Sequence, residues 1–204
     1  FVPENLDQPF AGKLFALAVA GRPRFEAALS ASPGTRHAVE WVQVEEPCPK
    51  EDDVRLKAQE HGAALFRRGE GAFFHGGALY FATTLGGRKD RGQIFKLHVG
   101  KDSRPDELEL LAESPSAEVL DMPDNITVSP WGHVLMAEDG SDGNFLRGLT
   151  PQGYVYDIAF NAGGPGELAG PCFSPDGSTL FLNMFLEGKT VAIQGPFSSL
   201  GRAG

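Results

Sequence analysis

The chain has 204 residues, 41% of them hydrophobic and 22% charged, which is enough apolar material for a buried core and argues against wholesale disorder. Its 27 acidic against 18 basic residues give a formal charge of −9, which repels phosphate backbones, argues against a nucleic-acid role and suits a protein that gathers cations. No apolar run reaches the about 18 residues of a membrane span, and the opening Phe1-Val2-Pro3-Glu4-Asn5 lacks the basic-then-apolar pattern of a signal peptide.

In chain order, Lys13 to Val19 and Ala38 to Val44 read as strands from their β-branched and aromatic content, with a Pro/Gly/Ser-rich connection between them. They are expected to form the outer half of a first, incomplete propeller blade. The stretch 51–65 lacks strand alternation. Asp52 or Asp53 is placed to cap a short helix that Gly62 ends, so this segment reads as a helical insertion.

Beyond it, one pattern occurs three times: a short apolar strand, a Gly-containing tight turn and a second apolar strand, with a carboxylate near the start. The turn glycines Gly77, Gly132 and Gly177 lie 55 and 45 residues apart, close to the length of a four-stranded propeller blade. Strands are expected around 71–75, 78–84, 92–99 and 108–113, then 125–129, 133–138, 145–150 and 153–160, then 170–174, 178–184 and 189–195. The fold expectation is an all-β, single-domain β-propeller over residues 1–204. It has about three blades, fewer than the four or more that generally close a ring. The chain therefore reads as part of a larger ring, with further blades of the same protein lying outside it.

In a propeller the innermost strand of each blade lines the central channel, so residues just before each first strand should converge. These are Glu70, then Asp124 with Asn125, then Glu167. Carboxylates and an amide oxygen are hard donors, suited to Ca²⁺ or a trivalent iron more than to zinc. Glu138 in Glu138-Asp139-Gly140 is a further candidate. The alternative is that Asp139-Gly140 is a turn and Glu138 an edge residue, since Thr83 and Asn183 occupy the corresponding offset in the other copies.

Arg67, Arg68, Lys89 and Arg91 are candidates to hold an anionic group or are exposed loop charges. His75 and His133 read as surface residues at hairpin turns, Trp131 and Phe173 as packing. Cys48 and Cys172 form no metal or redox motif, and a disulfide between them is left open.

These segments resemble the PhoX-type alkaline phosphatases over roughly residues 11–197. The likeness rests on GKLFAL, AVEWV, FRRGEGAFFHGGALYFATT, GQIFKL, ESPSAEVLDMPDNITVSPWGHVLMAEDG, GLTPQGYVYDIAFN, GELAGPCFSPDGSTLFLNMF and AIQGPF, in that order. The resemblance implies the C-terminal half of a six-bladed propeller that holds Ca²⁺ and iron (Fe³⁺) and hydrolyses small phosphate monoesters. It further implies periplasmic or extracellular placement and a part in phosphate acquisition. Carried over, Glu70, Glu138 and Glu167 match acidic metal-ligand positions, with Asp124 and Asn125 beside them. Glu138 and Arg68 are the expected catalytic residues, Arg68 steadying the transferring group. Neither Cys48 nor Cys172 matches the family's ligand cysteine. Two other readings stay open: a non-catalytic calcium-binding propeller module, and a calcium-dependent lactonase-like hydrolase.

Overall fold

The β-strands of this chain follow its hairpin grammar closely. The structure, a computed structural model, describes residues 1–200. These contain β1 (Val2–Pro3), β2 (Gly12–Val19), α1 (Ala27–Ser30), β3 (Arg36–Val44), α2 (Val54–Glu60), β4 (Gly69–His75), β5 (Ala78–Thr83), β6 (Gln93–His98), β7 (Glu107–Glu113), β8 (Pro123–Val128), β9 (Val134–Glu138), β10 (Phe145–Leu149), β11 (Val155–Phe160), β12 (Leu168–Phe173), β13 (Thr179–Met184), β14 (Lys189–Gln194) and α3 (Phe197–Leu200). The chain is all-β, with three sheets ordered β1-β2-β3-β7-β6-β5-β4, β11-β10-β9-β8 and β12-β13-β14.

Side-chain parity explains how each strand lies. In β7, Glu107, Glu109, Leu111 and Glu113 alternate with the buried Leu108, Leu110 and Ala112, the period of two that one buried face imposes. Every residue of β9 is buried, because the second sheet is packed on both faces. Ile126, Val128, Val134, Met136 and Leu149 join Tyr80, Ala82, Ile94 and Ala112 of the first sheet. Leu135, Ala137 and Leu146 join Leu168, Leu180 and Leu182 of the third, together with Phe197. Each fully buried Leu or Met contributes about 1.5–3 kcal/mol, so these two layers fix how the sheets stack. Trp131 and Phe173 pack in the second layer with ring centroids 5.3 Å apart, as expected.

Three features differ from the sequence expectation. The strands β2 and β3 form no separate blade, because β3 pairs with β7 through Arg36↔Glu109, His37↔Leu108 and Ala38↔Glu107 and extends the first sheet. The two-residue β1, paired as Val2↔Lys13 and Pro3↔Gly12, is an additional edge strand. The short helical insertion is present as α2, but its N-terminus is not capped as expected. Asp53 occupies the N-cap position of α2 without a side-chain capping bond and instead pairs with Lys57 at 3.1 Å; past His61, Gly62 takes φ +99°, a left-handed conformation that suits glycine. Cys48 and Cys172 are free, exposed thiols. Among the described residues, no helix is long and apolar enough to cross a membrane.

Candidate functional site

The edge strands β4, β8 and β12 of the three sheets lie side by side, and glycine makes this possible. A Cβ on Gly71 would sit 2.4 Å from the Asp124 carbonyl oxygen and 2.7 Å from the Ile126 nitrogen, so β4 approaches β8 backbone to backbone. Between β8 and β12, the Gly170 N–H donates to Asn125 Oδ1 at 2.8 Å.

Each of these strands is irregular near its start. Pairing of β4 with β5 shifts between Gly69 and Ala72, of β8 with β9 between Pro123 and Asn125, and of β12 with β13 between Ala169 and Cys172. An extra residue re-aims the side chains next to it. The displaced stretches contain Glu70, Asp124 and Gly170, so all three sheets carry the same device at the same end.

Arg68 stands at the centre of the resulting group. Its guanidinium lies 3.5 Å from Glu70, 3.6 Å from Asp124 and 3.4 Å from Asp139, three carboxylates from separate stretches of chain. Its backbone takes φ +50°, an uncommon conformation for a residue with a side chain. Asp124 is buried, and that burial raises its pKa, with Glu70 and Asp139 adding to the rise while the Asn125 hydrogen bond and Arg68 oppose it. Glu167 is raised in the same way, first by burial and then by Asp139, Asp124 and Glu70, against Arg68. The four carboxylates thus act on one another, and a single guanidinium leaves their negative charge in excess.

Of the residues singled out in the sequence, the structure brings together Arg68, Glu70, Asp124, Asn125 and Glu167. Asn125 links the group internally, donating to Asp124 Oδ1 at 2.6 Å while its own oxygen accepts from Gly170. Glu138 is not brought there. It is fully buried, and its oxygens accept from the Asp121 N–H at 2.8 Å, the Phe145 N–H at 2.9 Å and Arg147 Nε at 2.9 Å. Burial raises its pKa against those three bonds. Both oxygens are engaged by hydrogen bonds within the fold.

Asp139, a turn residue on the alternative reading of the sequence, lies 3.4 Å from Arg68. The signal was present in the same Glu-Asp-Gly run, one position on. Of the other basic candidates, Arg67 is held by Glu26 at 3.0 Å and Asp90 at 2.8 Å, and Arg91 by Asp121 at 2.9 Å. His133 lies beside Tyr156, its Nδ1 2.8 Å from the phenolic oxygen, and burial lowers its pKa.

The donors suit a hard cation in chemistry and charge. Among the described residues, however, no three His, Cys, Asp or Glu side chains are spaced to share one ion.

The family model described as alkaline phosphatase PhoX matches residues 1–188. This chain belongs to the PhoX alkaline phosphatase family. Among solved structures it is similar to Pseudomonas fluorescens PhoX in complex with vanadate, a transition state analogue, with a TM-score of 0.63 and 18% identity; the match covers 86% of this chain and 40% of that one. At that identity the likeness is one of fold, and this PhoX-family chain spans about 40% of the length of its structural relative. A gluconolactonase from Xanthomonas campestris matches with a TM-score of 0.43 and 17% identity over 74% of this chain and 43% of that one, too remote to carry an argument. No curated protein matches the sequence.

Proposed function

We propose that the chain carries part of the active site of a metal-dependent phosphomonoesterase. The observation that supports this most directly is the meeting of Arg68 with Glu70, Asp124 and Asp139 at one end of the adjacent strands β4 and β8, in a chain of the PhoX family. On this reading the three sheets are consecutive blades of a propeller, and the equivalent irregularities in β4, β8 and β12 aim side chains toward its axis. Six blades in all, and placement in the periplasm or outside the cell, belong to the same proposal.

Glu70, Asp124 and Glu167 are the residues of this chain that would hold calcium or iron, and Asp139 joins them on the geometry. A bound cation would supply polarisation of the phosphoryl oxygens and activation of an oxygen nucleophile. The surplus negative charge of the four carboxylates is what such a cation relieves. Arg68 supplies the complementary element, a planar set of N–H donors able to engage two oxygens of a phosphoryl group. Its present contacts, all 3.4 Å or longer, are loose for hydrogen bonds and leave it free to turn toward an anion.

The test is metal content by mass spectrometry, paired with aryl phosphate turnover before chelation, after it and after calcium is restored. Bound calcium with chelator-sensitive turnover is expected. Protein that takes up neither calcium nor iron and releases no phosphate would overturn the proposal and leave the fold as the shared property.

A further inference from the structure

Two of the acidic residues reach the cluster from different sheets, and one buried amide stands behind both. Asp139 follows β9 of the second sheet, whereas Glu167 immediately precedes β12 of the third. Asp139 is the first of the charges that act on Glu167, so the two loops are close.

Asn144, fully buried, ties one loop to the other. Its Oδ1 accepts from the Gly140 N–H at 2.6 Å, and its Nδ2 donates to the carbonyls of Gly140 at 3.2 Å, Pro165 at 3.0 Å and Gly166 at 3.1 Å. The residues it holds are thus the one after Asp139 and the two before Glu167. The backbone closes the same link: the Asn144 carbonyl accepts from the Asn161 N–H at 2.9 Å, and Asn161 Nδ2 donates to the Gly166 carbonyl at 3.0 Å.

The repeat does not call for an amide here. Asn144 immediately precedes β10, whereas Gly92 precedes β6 and Gly188 precedes β14 in the other two sheets. Nor does docking of the second sheet on the third depend on it, since Leu135, Ala137 and Leu146 already meet Leu168, Leu180 and Leu182 there. A buried amide is costly unless its polar atoms are paired, and both of these are.

We propose that Asn144 is a positioning residue that sets Asp139 against Glu167 across the joint between the second and third sheets. It hydrogen-bonds to neither carboxylate and acts through the backbone beside each. Its consequence for cation binding rests on the reading of the cluster as a cation site; the placement of the two loops does not.

The test is amide NMR of the full chain in chelator, followed by calcium titration calorimetry. In Asn144→Ala the amide signals of residues 139–141 and of residues 166–168 should both shift, those of Glu70 and Asp124 should stay in place, and calcium should bind at least tenfold more weakly. Asn144→Asp serves as the second variant, also where the alanine variant does not fold. It keeps the shape and an acceptor for the Gly140 N–H, loses the donors to Pro165 and Gly166 and adds a negative charge. It should shift residues 166–168 and weaken calcium binding, against the direction in which the added charge alone would act. Amide shifts that stop short of residues 166–168, or calcium bound by Asn144→Asp as tightly as by the parent, would overturn the proposal. A parent that binds no calcium would sink the cation reading, and the amide pattern in chelator would then decide the role of Asn144 by itself.

Discussion

Glu138 and Asp139 are neighbours in sequence with separate partners: Glu138 lies 2.9 Å from the buried Arg147, and Asp139 lies 3.4 Å from the exposed Arg68. One belongs to the interior and the other to the candidate site, so substitutions at the two positions should have different consequences.

Glu138→Ala removes one of the two carboxylate partners of a nearly fully buried guanidinium, the other being the exposed Asp157, and leaves two backbone N–H groups without an acceptor. A loss of roughly 3–5 kcal/mol of folding stability is expected, the usual result of breaking a buried pair from one side. Urea denaturation measures it. A midpoint unchanged from the parent would contradict the assignment of Glu138 to the interior.

Asp139→Asn should leave the fold nearly intact and weaken cation binding. Calcium at about 100 times its dissociation constant adds about 2.7 kcal/mol to the parent's stability, seen as a rise in melting temperature. That rise should shrink in Asp139→Asn and in Glu70→Gln. Equal calcium stabilisation of parent and variants would remove both residues from the cation's surroundings.

The pH dependence of Glu167 has a definite sign. Burial and neighbouring carboxylates hold its pKa above the ordinary 4.5, so the folded chain binds this proton more tightly than the unfolded chain does. The resulting stabilisation is complete below that ordinary value and is lost as the pH rises through the raised, folded one. In chelator, Glu167→Gln should therefore melt higher than the parent at pH 7, with the gain fading as the pH falls below about 4.5. Melting curves at pH 4 and pH 7 decide the matter, and a variant less stable at both would refute it.

Gly71→Ala tests the contact between the first two sheets. The added methyl would lie 2.4 Å from the Asp124 carbonyl oxygen, and the neighbour is backbone, so a cost of about 1–3 kcal/mol is expected. Thermal denaturation checks it, together with an altered environment for Glu70 and Asp124. An unperturbed variant would mean that the strands have room to part.

What could be read in the sequence was local. The hairpins announce themselves through glycine turns between apolar runs, and the thirteen expected strands fall where those signals lie. Pairing of β3 with β7 joins Arg36 to Glu109, and no short-range pattern encodes a contact across 73 positions. That Asp139 and not Glu138 lies beside Arg68 has a similar origin. Side-chain alternation predicts faces only while the register is regular, and the β8–β9 register shifts between Pro123 and Asn125, opposite this run. Glu70, Asp124, Asn125 and Glu167 were legible because each precedes or opens the first strand of a repeat, a position that survives a shift of one residue.

Each sheet is knitted largely from neighbours in sequence, yet Arg68 reaches Asp139 across 71 positions and β12 reaches Asn125 across 45. The individual hairpins can form early, whereas the acidic cluster exists only once three sheets have docked, and it is assembled late. It is also the first arrangement to scatter when the docking loosens. Mild denaturant should therefore abolish cation binding at concentrations that leave the far-ultraviolet signature of the strands unchanged.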